Sequence, residues 1–127
     1  MIIYDHPQGS AEWLASRAGV ITASKFVEAR KRLKSGPKKG GFTEAAEDYA
    51  FRVAVERISG QPLDEADQFQ TYSMRRGQEL EPAARAAHEF LFDIAVEPCG
   101  FVMTPDRKFG ASADGLIDAD GGSEYKC

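Results

Sequence analysis

Apolar side chains recur at helical spacing over roughly the first three quarters of this chain. From Ala95 they come instead in short runs broken by proline and glycine. Residues 1–9 read as an irregular lead-in containing Pro7 and Gly9. Ser10 is placed to cap a short helix that turns Trp13 and Leu14 inward, and Gly19 ends it. Thr22 or Ser24 opens a second helix over 23–33, with Phe26, Val27 and Leu33 as its apolar contacts. The composition of Ser35–Gly41 predicts a mobile loop. Thr43 with Glu44, Glu47 and Asp48 forms an acidic first turn, which the helix dipole favours. That helix runs to about Ser59 with Tyr49, Phe51, Val53, Val55 and Ile58 as core positions, and Gly60 stops it. A further helix spans about 74–93, carrying Leu80, Ala84, Ala87, Phe90 and Leu91. Strands are expected over 95–103, interrupted by Pro98 and Gly100, over 109–118 and over 123–127.

The order, helices and then a small sheet, predicts an α/β fold occupying 1–127 as a single domain. The sheet stops abruptly, and an open edge is a liability. Either a partner subunit covers that surface or the natural protein continues beyond Cys127. At 127 residues, 43% apolar and 28% charged, the composition is that of one soluble globular domain. No apolar run approaches the roughly 20 residues that a membrane span needs. The N-terminus has no secretory pattern, and two cysteines, Cys99 and Cys127, make neither a disulfide framework nor a zinc site. A cytoplasmic setting is expected.

Charge changes the picture through its distribution. The net charge is −4, yet Lys25, Arg30, Lys31, Arg32, Lys34, Lys38 and Lys39 face only Glu28 within residues 25–39. That stretch is +6 and the rest of the chain −10. One reading is a surface that touches a phosphate backbone, with affinity falling as salt rises. The other is a solvated helix end running into a loop.

Candidate chemistry gathers at the end of the chain. Asp114 is followed by Glu124 and Lys126, with Tyr125 between. In a strand, Glu124 and Lys126 share one face. A turn near Asp120-Gly121-Gly122 would fold the strand holding Asp114 beside them, so that two carboxylates and an ammonium converge. Such a pair of like charges calls for a bound cation. The same residues also suit an ordinary hairpin, since Asp-Gly is a common turn and Glu-x-Lys a common solvated edge.

Four segments in register carry a resemblance. They are Gly9-Ser-Ala-Glu-Trp13-Leu-Ala-Ser-Arg17-Ala-Gly19-Val-Ile-Thr22-Ala-Ser24, Arg76-Gly-Gln-Glu-Leu-Glu81-Pro-Ala-Ala-Arg85, Gly110-Ala-Ser-Ala-Asp114-Gly-Leu and Glu124-Tyr-Lys126-Cys127. Together the set resembles the lambda exonuclease type of phage recombination nuclease, the YqaJ-like viral recombinases, within the PD-(D/E)xK nuclease superfamily. The resemblance implies a restriction-endonuclease-like core, with N-terminal helices followed by a small mixed sheet. It implies Mg²⁺-dependent digestion of linear double-stranded DNA from a 5′-phosphorylated end, leaving 3′ single strands, with Mn²⁺ as a substitute metal. By position it makes Asp114 and Glu124 the carboxylate ligands of the metal, the Tyr125 carbonyl a further ligand, and Lys126 the residue that positions or activates water. Glu81 matches an additional acidic residue, and Arg17 and Ser24 match a 5′-phosphate pocket. Family members work in bacterial hosts of phages or prophages, form a trimeric ring and act with a single-strand annealing protein.

Two departures stand out. Ala113 replaces the proline of the family's Ser-Pro-Asp-Gly, and the helices and strands that follow the Lys-Cys pair in relatives are absent, so the chain is expected to lack the family's C-terminal part. The alternative is therefore a catalytically incomplete DNA-end-binding or assembly module, and a third possibility is an endonuclease on the same fold. His6 and His88 are expected to be surface or helix residues without partners, Cys99 and Trp13 packing residues, and Glu79 solvated.

Overall fold

A computed structural model describes residues 1–63 and 70–126. Eleven residues into the chain the first helix, α1 (Ala11–Arg17), already lies behind a strand, β1 (Ile2–Tyr4), that the sequence pattern did not predict. Then come β2 (Ile21–Thr22), a 3₁₀ turn (Ala23–Lys25), α2 (Phe26–Ala29), α3 (Glu44–Ser59) and α4 (Tyr72–Phe92). Strands β3 (Phe101–Met103), β4 (Phe109–Ala111), β5 (Gly115–Ile117) and β6 (Gly121–Ser123) follow.

The main sheet has the order β1-β3-β4-β2 and is mixed: β1 and β4 run antiparallel to β3, and β2 runs parallel to β4. Strands β5 and β6 form a separate hairpin. The missed strand has a physical explanation. Ile2-Ile3-Tyr4 is too short to show alternation, and its partner is distant in sequence, pairing Ile2 with Met103 and Tyr4 with Phe101. Gly100 permits that approach, because a Cβ there would collide with the His6 carbonyl oxygen. Val20, Phe101 and Met103 form the buried centre, with Ile2, Tyr4 and Trp13 against them.

The helices begin where side-chain oxygens can hold free N–H groups. Ser10 accepts from Trp13 N–H, Thr43 from Ala46 N–H and Thr71 from Met74 N–H, each at 3.2 Å. Gly60 closes α3 in the left-handed conformation at φ 68°. The expected helix over 23–33 is shorter, because Lys31 and Arg32 leave it: Thr43 N–H bonds the Lys31 carbonyl, and Arg32 bridges Phe42. The segment expected to be a mobile loop is a tied turn, with Leu33 N–H on the Gly41 carbonyl and Gly40 N–H on the Leu33 carbonyl.

Several expected core positions face outward. Val53 is buried, but Phe51, Ile58, Phe90 and Leu91 are exposed, as are Val27, Leu33 and Leu80. On α3 the inward stripe is Ala46, Val53 and Glu56, so Phe51 and Ile58 lie off it. Glu56 is nevertheless well satisfied, accepting from Gly19 N–H at 2.8 Å and Leu63 N–H at 3.1 Å.

Phe101 is fully buried, and its ring fills the space a side chain on Gly110 would need. Phe101→Ala is expected to cost about 3–5 kcal/mol, read as a fall in the urea midpoint. A loss below about 1 kcal/mol would show that this cluster is not the centre of the fold.

Candidate active site

Two short strands and an open end make the frame. In the β5–β6 hairpin Gly115 pairs with Ser123, Leu116 with Gly122 and Ile117 with Gly121. The turn lies at Asp118–Asp120, with Asp118 left-handed at φ 51°, so the expected turn residues Gly121 and Gly122 belong to the strand instead. The pairing ends at Gly115 and Ser123; just past it the Asp114 N–H bonds the Ser123 carbonyl and Asp114 Oδ2 takes the Tyr125 N–H, so Asp114 lies at the hairpin's open end beside residues 124–126.

The expected strands are interrupted here in two places. Residues 109–118 divide into β4 and β5, because the segment between gives its polar groups to side chains rather than to a neighbouring strand. Trp13 Nε1–H bonds Ser112 Oγ at 3.0 Å, and Gln8 Nε2–H bonds the Ala113 carbonyl at 3.1 Å. Strand β6 ends at Ser123, so Glu124, Tyr125 and Lys126 lie just past it, and Cys127 falls outside the described residues. The alternation argument for Glu124 and Lys126 therefore does not apply, although the two side chains still meet in an ion pair.

Asp114 is held by three contacts. Its N–H bonds the Ser123 carbonyl at 3.0 Å, its Oδ2 accepts from Tyr125 N–H at 2.6 Å, and its carbonyl accepts from Arg85 at 3.1 Å. The Arg85 guanidinium also grips Glu81 at 2.7 Å, one turn back on α4. Glu81 thus reaches the hairpin through Arg85. Sequence reasoning assigned Arg85 no role; the i, i+4 spacing from Glu81 was the available signal.

Lys126 is exposed, and the Glu124 carboxylate, by hydrogen bond first and by charge second, raises its pKa above the ordinary lysine value; Asp114 adds a smaller push. The shift favours the ammonium form of Lys126. Burial, followed by the Asp5 charge, pushes the Cys99 thiol up, which suits packing and not nucleophilic attack.

Arg17 and Ser24 lie on a cavity of about 670 Å³ whose lining also includes Trp13, Ser112, Ser123 and Glu124. The fold thus brings residues separated by about a hundred positions into one cavity, whose lining reaches Ala113, the residue before Asp114. The Arg17 guanidinium stacks on the Trp13 ring, 4.1 Å from its centroid. Trp13, expected as plain core, is half-buried and donates to Ser112 and to the Gly100 carbonyl.

The basic stretch is partly engaged with the protein itself. Lys25 pairs with Glu28 at 2.9 Å, Arg30 lies over Phe26, and Arg32 lies over Phe42 and bonds the Gly40 carbonyl. Lys31, Lys34, Lys38 and Lys39 are exposed.

Among the described residues no group of three or more His, Cys, Asp or Glu side chains is gathered at metal-binding distance. The open end of the hairpin offers two carboxylates, Asp114 and Glu124, and the Tyr125 carbonyl. These are hard oxygen donors of the kind Mg²⁺ takes while keeping several waters, so the donor chemistry fits. No helix among the described residues is long and apolar enough to cross a membrane.

A family model described as the YqaJ-like viral recombinase domain matches residues 12–127. The chain is similar to the crystal structure of an alkaline exonuclease, LHK-Exo, from Laribacter hongkongensis, at 30% identity and a TM-score of 0.65, over 93% of this chain and 53% of that one. Against the structure of LHK-Exo in complex with dAMP the identity is 29% and the TM-score 0.67, with the same coverage. The chain therefore spans about half the length of the solved chains it matches. No curated protein matches it significantly.

Proposed function

The chain belongs to the YqaJ-like viral recombinase family, and from that membership we propose that it is the catalytic part of a phage-type, metal-dependent exonuclease acting on linear duplex DNA from a 5′-phosphorylated end. The observation that carries this reading is the shared cavity: Arg17, Ser24 and Glu124 line it together, and the Asp114 carboxylate takes the N–H of Tyr125, the residue after Glu124. An anion held by Arg17 and Ser24 would put the first phosphodiester near the two carboxylates. The similarity to an alkaline exonuclease, one of whose structures contains dAMP, supports a nucleotide product.

In this reading Arg17 supplies a bidentate fork for the terminal phosphate and Ser24 a hydroxyl. Asp114, Glu124 and the Tyr125 carbonyl would hold Mg²⁺ or Mn²⁺, which when bound makes a water more acidic and polarises the phosphoryl oxygen. Lys126 neutralises charge that develops on the phosphoryl group. Glu81, restrained by Arg85, adds negative charge behind Asp114. The exposed lysines 31, 34, 38 and 39 contribute backbone affinity that weakens with salt. A homotrimeric ring, an annealing partner and the cytoplasm of a bacterial host belong to the same proposal.

Digestion of a linear duplex with Mg²⁺, comparing 5′-phosphate with 5′-hydroxyl ends, tests it. Faster loss of the phosphorylated strand is expected. DNA binding without digestion would favour the end-binding module, a reading consistent with the chain's half-length match to the solved exonuclease. Cleavage of a covalently closed circle would identify an endonuclease.

A further inference from the structure

Resting on the nuclease reading, we propose that His88 is a positioning residue for the Glu124–Tyr125–Lys126 segment, acting through Tyr125 from α4. The strand ladder ends at Ser123, and Glu124 and Lys126 have side chains 66% and 82% exposed, so packing does not hold them. Tyr125 does. Its N–H is tied to Asp114 Oδ2 at 2.6 Å, and its hydroxyl lies 3.0 Å from His88 Nδ1. The Tyr125 and His88 rings also meet edge to face, centroids 5.8 Å apart at 75°. Phe92, one turn further along α4, also meets the His88 ring edge to face, at 5.2 Å and 76°.

The residues involved form one stripe of α4: Glu81, Arg85, His88 and Phe92, spaced at i, i+4, i+7 and i+11. Arg85 holds the Asp114 carbonyl and His88 holds Tyr125. The helix therefore grips the two sides of the hairpin's open end one turn apart. Fixing Tyr125 at its ring and its N–H leaves its neighbours little freedom. Glu124 and Lys126 are then aimed by a residue that touches no substrate. Residues that orient a ligand-bearing group typically matter at the level of 10–100-fold in affinity or rate.

Tyr125→Phe keeps the ring and removes the hydroxyl; His88→Ala removes the other partner. Each is expected to lower kcat on linear 5′-phosphorylated duplex roughly 10-fold, with KM within about twofold and Mn²⁺ affinity weakened several-fold by calorimetry. The double variant is expected to fall no further than either single one, since both break the same bond. His88→Asn, whose amide can sit near the Nδ1 position, is expected to recover most of the rate. Wild-type kcat in both single variants, or multiplicative losses in the double, would overturn the proposal while leaving the nuclease reading intact. A lowered melting temperature with unchanged kcat and Mn²⁺ affinity would also overturn it, by showing a structural contact alone. If the wild-type chain neither cleaves DNA nor binds Mn²⁺, the nuclease reading fails and this inference with it.

Discussion

Asp114→Asn is expected to lower the rate of duplex digestion on the order of 10³-fold while the urea midpoint stays nearly unchanged. The two outcomes separate because Asp114 has two tasks. Its Oδ2 accepts the Tyr125 N–H at 2.6 Å, and an asparagine oxygen of the same shape still accepts that bond. What asparagine lacks is the negative charge that would hold a cation together with Glu124. Asp114→Ala loses both, and is expected to add a destabilisation on the order of 1 kcal/mol as Tyr125 N–H loses its partner. Digestion by Asp114→Asn within tenfold of wild type would remove Asp114 from the chemistry.

Arg17→Gln is expected to erase the preference for phosphorylated ends. Two charge-assisted hydrogen bonds to a terminal phosphate, each contributing about 1.5–3 kcal/mol, correspond to a loss of about 10²- to 10⁴-fold on 5′-phosphate duplex. The rate on 5′-hydroxyl duplex is expected to change little, because that end offers no phosphate to the fork. Arg17→Lys is expected to recover only part of the preference: the ammonium keeps the charge but neither the planar fork nor the stacking over Trp13. Equal losses on both ends would assign Arg17 to the scaffold instead.

How much of this was legible depends on the range over which each feature is decided. Helices α3 and α4 were readable to within about two residues, because Thr43 and Gly60, and the periodic run up to Phe92, act locally. Their inward faces were less so. Phe51 and Ile58 are as apolar as Val53, and nothing in the sequence says which stripe of α3 meets the rest of the fold. Strand β1 and the break of 109–118 into two strands were hidden for the same reason: Met103, Trp13 and Gln8 decide them from far along the chain. His88 shows the point at a single residue. Read alone it has no partner at ligand spacing; in the fold Tyr125, 37 positions on, lies against it.

By itself the sequence determined the ends of α1, α3 and α4, the α/β class and the family, since caps, breakers and four short motifs are each written in neighbouring residues. Only the tertiary structure decided that Arg17, Ser24 and Glu124 line one cavity, that Asp114 takes the Tyr125 N–H, and that α4 clamps the hairpin through Arg85 and His88. The physical reason is that local conformational preference acts over a turn of chain. Convergence of distant side chains depends on which surfaces pack together, and no local pattern encodes that.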